Sequence, residues 1–224
     1  MKKFSPAPAE KNALAAIILC ALFFLLLPSL LARLTPSLAA ALNSNPWLMM
    51  MPTVLIGTAI FAFSGSFHLS KADFTGLKIH KLCLYSFSMV IIAGLSAYVW
   101  ETLLKYLHLH YDTNVPVENF IKSCSRIELC FAMPLICLIV PFFEEMIFRR
   151  IIFEGIRYRC PPVFSMTVTS LLFAGLHGIF FQLVPLFVLG MCFQGLYMRE
   201  GKLGASFFAH CFNNTLAFSM LLLI

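Results

Sequence analysis

Ala13 to Ala32 is a run of twenty residues without one charged side chain, and comparable apolar stretches recur down the chain. Inside hydrocarbon, backbone N–H and C=O groups find no water, so a segment must satisfy them itself; helices and closed barrels are the only spanning solutions. A helix needs about 20 apolar residues to cross. Such windows fall near 13–34, 47–67, 82–104, 127–148, 163–183, 184–199 and 204–224. The expectation is an all-α, polytopic integral membrane bundle of about seven or eight transmembrane helices, with 184–199 the shortest window. Hydrophobic residues make up 60% of the chain, charged residues 12%, and mean hydropathy is +0.89, outside the range of soluble domains.

Basic residues set the expected orientation. Lys2, Lys3 and Lys11 precede the first window, which suits a cytoplasmic start. A cleaved signal peptide ending near Leu38 to Ala41 is the rival, disfavoured because the apolar stretch exceeds the usual 7–15-residue core of such peptides. Propagation puts Lys71, Lys78 and Lys81 inside, 105–126 outside, and Arg149, Arg150, Arg157, Arg159, Arg199 and Lys202 inside. These inner loops absorb the net charge of +6, so no nucleic-acid partner is inferred. Trp47, Tyr98 and Trp100 near window ends suit interfacial anchoring. The eight cysteines form no C-x-x-C pair and read as small buried hydrophobes. His108, His110 and Asp112 read as a solvated loop rather than a metal site. The chain divides into N-terminal transmembrane helices with an outer loop, 1–125, and a C-terminal block, 126–224, that holds the unusual polar residues.

Seven charged side chains crowd into Glu144 to Arg159, directly after a charge-free run from Phe131 to Phe143. Ionisable groups at membrane depth are costly and mark functional sites by default. Glu145 and Arg149, Phe173 and His177, and His210 and Asn214 are i, i+4 pairs, each on one helix face. Glu before Arg is the favourable order for an ion pair, so Glu145 is expected to be neutralised by Arg149. Glu144 points about 100° away with no base one turn on, and is the candidate general base. Cys160-Pro161-Pro162 stops a helix, and Glu144 and His177 lie about equally far on either side of it. A hairpin there would bring the two level, whereas His210 and Asn214 match that depth less well. Taken singly, a histidine or asparagine in such a helix merely bonds a backbone carbonyl or bridges helices; the joint occurrence favours function.

The segments EEMIFRR (144–150), FAGLH (173–177) and HCFNN (210–214) resemble, in order and spacing, the E-E-x-x-x-R, F-x-x-x-H and H-x-x-x-N motifs of the CPBP intramembrane endopeptidases, also called the Abi or type II CAAX prenyl endopeptidase family. The resemblance covers about 125–220. It implies a four-helix catalytic core in the C-terminal block and peptide-bond hydrolysis in a cavity open to the cytoplasm. By position, Glu144 with His177 would activate water, His210 and Asn214 would stabilise the oxyanion, and Glu145 with Arg149 would hold the site together. Members commonly carry a small residue after the motif arginine; Arg150 departs from this, and Glu154 at i+4 is its expected partner.

Glu144, His177 and His210 also make a two-His, one-carboxylate set that could bind zinc, although H-E-x-x-H is absent; metal-free chemistry is the preferred expectation. The implied partners are a membrane-associated protein or peptide substrate and the lipid bilayer, and the implied location is a bacterial cytoplasmic membrane with the N-terminus and site opening on the cytoplasmic side. Prenylated C-terminal peptides, leader peptides and membrane segments all suit such a cavity. A proton-coupled transporter and a non-catalytic scaffold or immunity protein of the same fold are the rival functions.

Overall fold

The computed structural model describes residues 70–111 and 116–223, and every regular element among them is helical. The expected windows at 13–34 and 47–67, Trp47 and Asp112 lie outside the described residues, as does any cleavage site near residue 40. A short 3₁₀ turn, Lys71–Asp73, leads into α1, Ile79–Tyr106. The short α2, Pro116–Ser123, precedes α3, a continuous helical rod Arg126–Arg157. Then follow α4, Pro162–Leu176, α5, Leu183–Glu200, and α6, Leu203–Leu221.

Local chemistry explains the boundaries. Ser125 and Glu128 form a reciprocal capping box at the start of α3, satisfying orphan N–H groups. Pro161 and Pro162 open α4, where a missing N–H costs nothing. Gly201 ends α5 at φ +63°, a left-handed conformation that glycine adopts without a Cβ clash.

The rod α3 is not uniform. Leu135–Ile139 and Met146–Phe153 are π-helical, a widening that is often found at functional sites. The first has a cause in the sequence. Pro141 lacks an N–H and crowds the carbonyl four residues back, and the Val140 N–H bonds Leu135 O, five residues back. In that register the carbonyl of Ile136 would next accept from residue 141, which is proline and has nothing to donate.

Among the described residues three helices are long and apolar enough to cross a membrane: Ile79–Tyr106, Arg126–Arg157 and Phe180–Glu200. Their outward faces are apolar, with Leu84, Leu95 and Val99 all exposed on α1; helices apolar all round belong in lipid. The protein is an integral membrane protein. Three windows differ from expectation. The helix in the 204–224 window, Leu203–Leu221, is not among the three helices long and apolar enough to cross. The 163–183 window contains only a 15-residue helix, about 22 Å at 1.5 Å per residue and too short to span alone. Its end is set by Gly178 at φ +69°, after which the chain reverses. The 127–148 window continues as helix to Arg157, so Arg149 lies inside the bundle instead of in a basic loop; burial is tolerated because Glu145 pairs with it.

α5 packs between α4, α1 and α6. The α4–α5 contact is close because Gly190 faces Ser170, where a Cβ would sit 3.1 Å from the serine Cβ; small residues allow such approach between membrane helices. Apolar clusters join the remainder: Phe148, Ile151, Ile152 and Phe173 between α3 and α4, and Leu82, Leu189, Phe193 and Ala209 among α1, α5 and α6. The ends read as inner on charge gather together: Lys202 donates to Thr75 O, Arg199 lies 4.6 Å over the Tyr85 ring, and Arg150 pairs with Asp73. At the opposite end Trp100 bonds Phe180 O, and Tyr111 stacks on Phe181. Among the described cysteines only Cys137 is fully buried; Cys83 and Cys130 are exposed on helix surfaces, which in lipid suits a small apolar side chain.

Candidate active site

Glu145 is completely buried, and Arg149 one turn on holds it with two hydrogen bonds, Nε to Oε2 at 3.0 Å and Nη2 to Oε1 at 3.1 Å. Bidentate geometry of this kind makes a strong carboxylate contact. The guanidinium also lies 5.5 Å from the Phe173 ring centroid and 5.9 Å from that of Phe193. Those two rings box in His210 as well: Phe193 stacks on it at 4.7 Å, and Phe173 meets it edge-on at 5.9 Å. Two side chains able to carry positive charge thus share two aromatic faces, which attract cations.

His210, on α6, joins the two adjacent acids. Its Nδ1 is 3.0 Å from Glu145 Oε1, and its Nε2 is 3.4 Å from Glu144 Oε2. With Nδ1–H donating to Glu145, Nε2 meets Glu144 favourably only if one of that second pair carries a proton. An imidazolium would bring the group of Glu144, Glu145, Arg149 and His210 to zero net charge, the arrangement a poorly solvated interior favours. The environments of the two acids differ: the Glu145 side chain is 1% exposed and the Glu144 side chain 15%.

His177 caps the end of α4. Its N–H and that of Gly178 bond Ala174 O and Gly175 O, and its Nδ1 lies 2.7 Å from Phe173 O. A carbonyl can only accept, so Nδ1 is the donor and Nε2 is left as the basic nitrogen. The ring is exposed, 4.8 Å from the Phe173 ring that touches His210. No ion pair joins His177 to Glu144 among the described residues. The histidine in direct contact with Glu144 is His210, because α6 packs directly along α3.

Asn214, one turn beyond His210, donates through Nδ2 to Ile136 O at 3.1 Å. This is the carbonyl that Pro141 leaves without a backbone donor, so the amide closes the gap made by the π turn. Asn213 in turn donates to Asn214 Oδ1 at 3.3 Å. Arg150 bonds Asp73 and not the expected Glu154, which instead accepts from Tyr197 OH at 3.0 Å. Sequence reading passed over Asp73, Tyr197 and the wholly buried Gln194. A glutamine inside an apolar window was the available signal for the last.

Glu144, His177 and His210 do not converge as three ligands; no cluster of three His, Cys, Asp or Glu side chains suited to a metal occurs among the described residues. The contacts seen commit His210 to the two carboxylates and turn His177 Nδ1 to a carbonyl. This donor set does not fit a zinc site as arranged.

A membrane protein, helical throughout its described residues, in which α3 and α6 bring together a Glu–Glu–Arg–His cluster is the class defined by fold and site. Residues 126–216, the segment that carries all three motifs, match the family model described as type II CAAX prenyl endopeptidase Rce1-like. It is also similar to a Bacillus subtilis strain 168 protein named "Putative membrane peptidase YdiL", 32% identical over 75 residues, which are 34% of this chain and 31% of that protein. The chain thus spans about a third of the length of that curated relative. No solved structure matches.

Proposed function

We propose that the protein is an intramembrane endopeptidase that hydrolyses a peptide bond of a membrane-associated protein or peptide using a glutamate-activated water. The observation that carries this reading is His210 bridging Glu144 and Glu145, with Arg149 locking the second acid. It gives one carboxylate a fixed structural role and leaves its neighbour, the more exposed one, free to act as a base.

Hydrolysis needs a deprotonated nucleophile, stabilisation of the tetrahedral oxyanion and a proton for the leaving amine. Glu144 takes the proton of an attacking water; a positioned base is typically worth 10²–10⁴-fold. His210 Nε2–H turns from Glu144 to the oxyanion as negative charge develops there; removing one such donor costs on the order of 10²–10³ in rate. Glu144 then returns the proton to the leaving nitrogen. His177, with Nε2 basic and its ring beside Phe173, assists water activation from the exposed side. Asn214 supports the oxyanion region chiefly by fixing α6 to α3 through Ile136 O, so Asn214→Ala is expected to be milder than Glu144→Ala or His177→Ala. The opening is assigned to the cytoplasmic side of a bacterial inner membrane, following the basic ends.

The test compares new peptide termini in membrane fractions of cells carrying the wild-type chain or Glu144→Gln. Termini present only with the wild type support the assignment and name the substrate. Identical termini in both, at equal protein abundance, end it.

A further inference from the structure

Arg150 is the residue that departs from the usual small side chain of the motif, and its partner is Asp73 in the segment that precedes α1. Asp73 is built into that segment. Its side chain is 6% exposed, and its Oδ2 accepts from Ser70 N at 3.0 Å and from Ser70 Oγ at 3.4 Å. The same short stretch grips α6. A Cβ at Gly204 would sit 2.6 Å from Asp73 O and 3.0 Å from the Phe74 ring, so only glycine admits the segment there. Phe74 meets Phe207 edge-on, Phe207 meets Phe142, and Lys202 donates to Thr75 O.

These contacts sit on the two helices whose mutual placement makes the site. Arg150 follows Arg149 directly on α3, and Gly204 and Phe207 lie within two turns of His210 on α6. A shift of α3 against α6 would separate Glu144 and Glu145 from His210, since those contacts cross between the two helices.

We infer that residues 70–78 form a clamp that sets the register of α3 against α6, with Asp73 and Arg150 as positioning residues for the Glu144–His210 contact. The inference rests on the peptidase reading above. Neither residue touches the reacting atoms. A misplacement of about 1 Å remote from the chemistry can cost about 10²-fold, so loss of the lock acts on turnover more than on binding.

The experiment uses the full chain in proteoliposomes with three quenched-fluorescence peptides: a farnesylated C-terminal peptide, a leader peptide and a transmembrane peptide. Turnover is expressed per folded molecule. For whichever peptide the wild type cleaves, Asp73→Asn and Arg150→Gln should each lower kcat by about 10- to 100-fold with KM within about twofold. The double variant should be no worse than either single one, and Arg150→Lys should recover most of the loss by keeping a cation. Additive losses in the double variant, or wild-type kcat per folded molecule in both single variants while Glu144→Gln is inactive, overturn the clamp. Absence of cleavage by the wild type, or equal cleavage by Glu144→Gln, overturns the peptidase reading and the clamp's catalytic role with it.

Discussion

Adjacent acids in one helix should lose very different amounts of stability on the same conservative change. Glu145 accepts from Arg149 Nε and Nη2 and from His210 Nδ1, all at 3.0–3.1 Å, with a side chain 1% exposed. Glu145→Gln removes the countercharge of a guanidinium that is itself wholly buried, and whose Nη1 already has no hydrogen-bond partner. Breaking a buried pair by removing one member costs about 3–5 kcal/mol, a large part of a total stability of about 5–15 kcal/mol. Glu144 is more exposed and has one contact at 3.4 Å, longer than a good charge-assisted bond, so Glu144→Gln should cost about 1 kcal/mol or less. Unfolding of the purified chain by titration with a denaturing detergent measures both. Replacing Glu145 and Arg149 together by leucine should restore most of the stability, because no buried charge is then left alone. Equal losses for the two glutamine variants, or a loss below about 1 kcal/mol for Glu145→Gln, would refute the division of labour.

Asn214→Ala should destabilise by about 1–3 kcal/mol by stranding the Ile136 carbonyl, and by less in a Pro141→Ala background, where residue 141 regains an N–H; thermal unfolding of the four variants checks the coupling. Gly204→Ala should cost about 1–3 kcal/mol because its Cβ meets backbone rather than a movable side chain, and an unchanged unfolding temperature would refute the close approach. Peptide cleavage should survive chelation; loss of activity restored by zinc but not magnesium would reassign Glu144 as a ligand.

The helical membrane architecture was legible because charge-free windows and proline stops act locally. So was the Glu145–Arg149 pair, fixed by i, i+4 spacing on one helix. What spacing could not supply was how neighbouring helices meet. Equal distance from the Cys160–Pro162 turn suggested that His177 lies level with Glu144, but it carried no sign of the direct packing of α6 on α3 that brings His210 to Glu144. The role of Asn214 depends on a π turn caused by Pro141, and a single missing N–H changes the count of residues per turn that simple periodicity assumes. Asp73 lies 77 residues from Arg150, beyond any local pattern.

The central claim is that Glu144 activates water to cleave a peptide bond. Reconstituted enzyme incubated with a cleaved peptide in heavy-oxygen water, followed by mass spectrometry of the products, tests it most directly. The account predicts one heavy oxygen in the new carboxyl terminus with the wild type and no cleavage with Glu144→Gln. Wild-type cleavage by that variant, or a new terminus without the label, would contradict it.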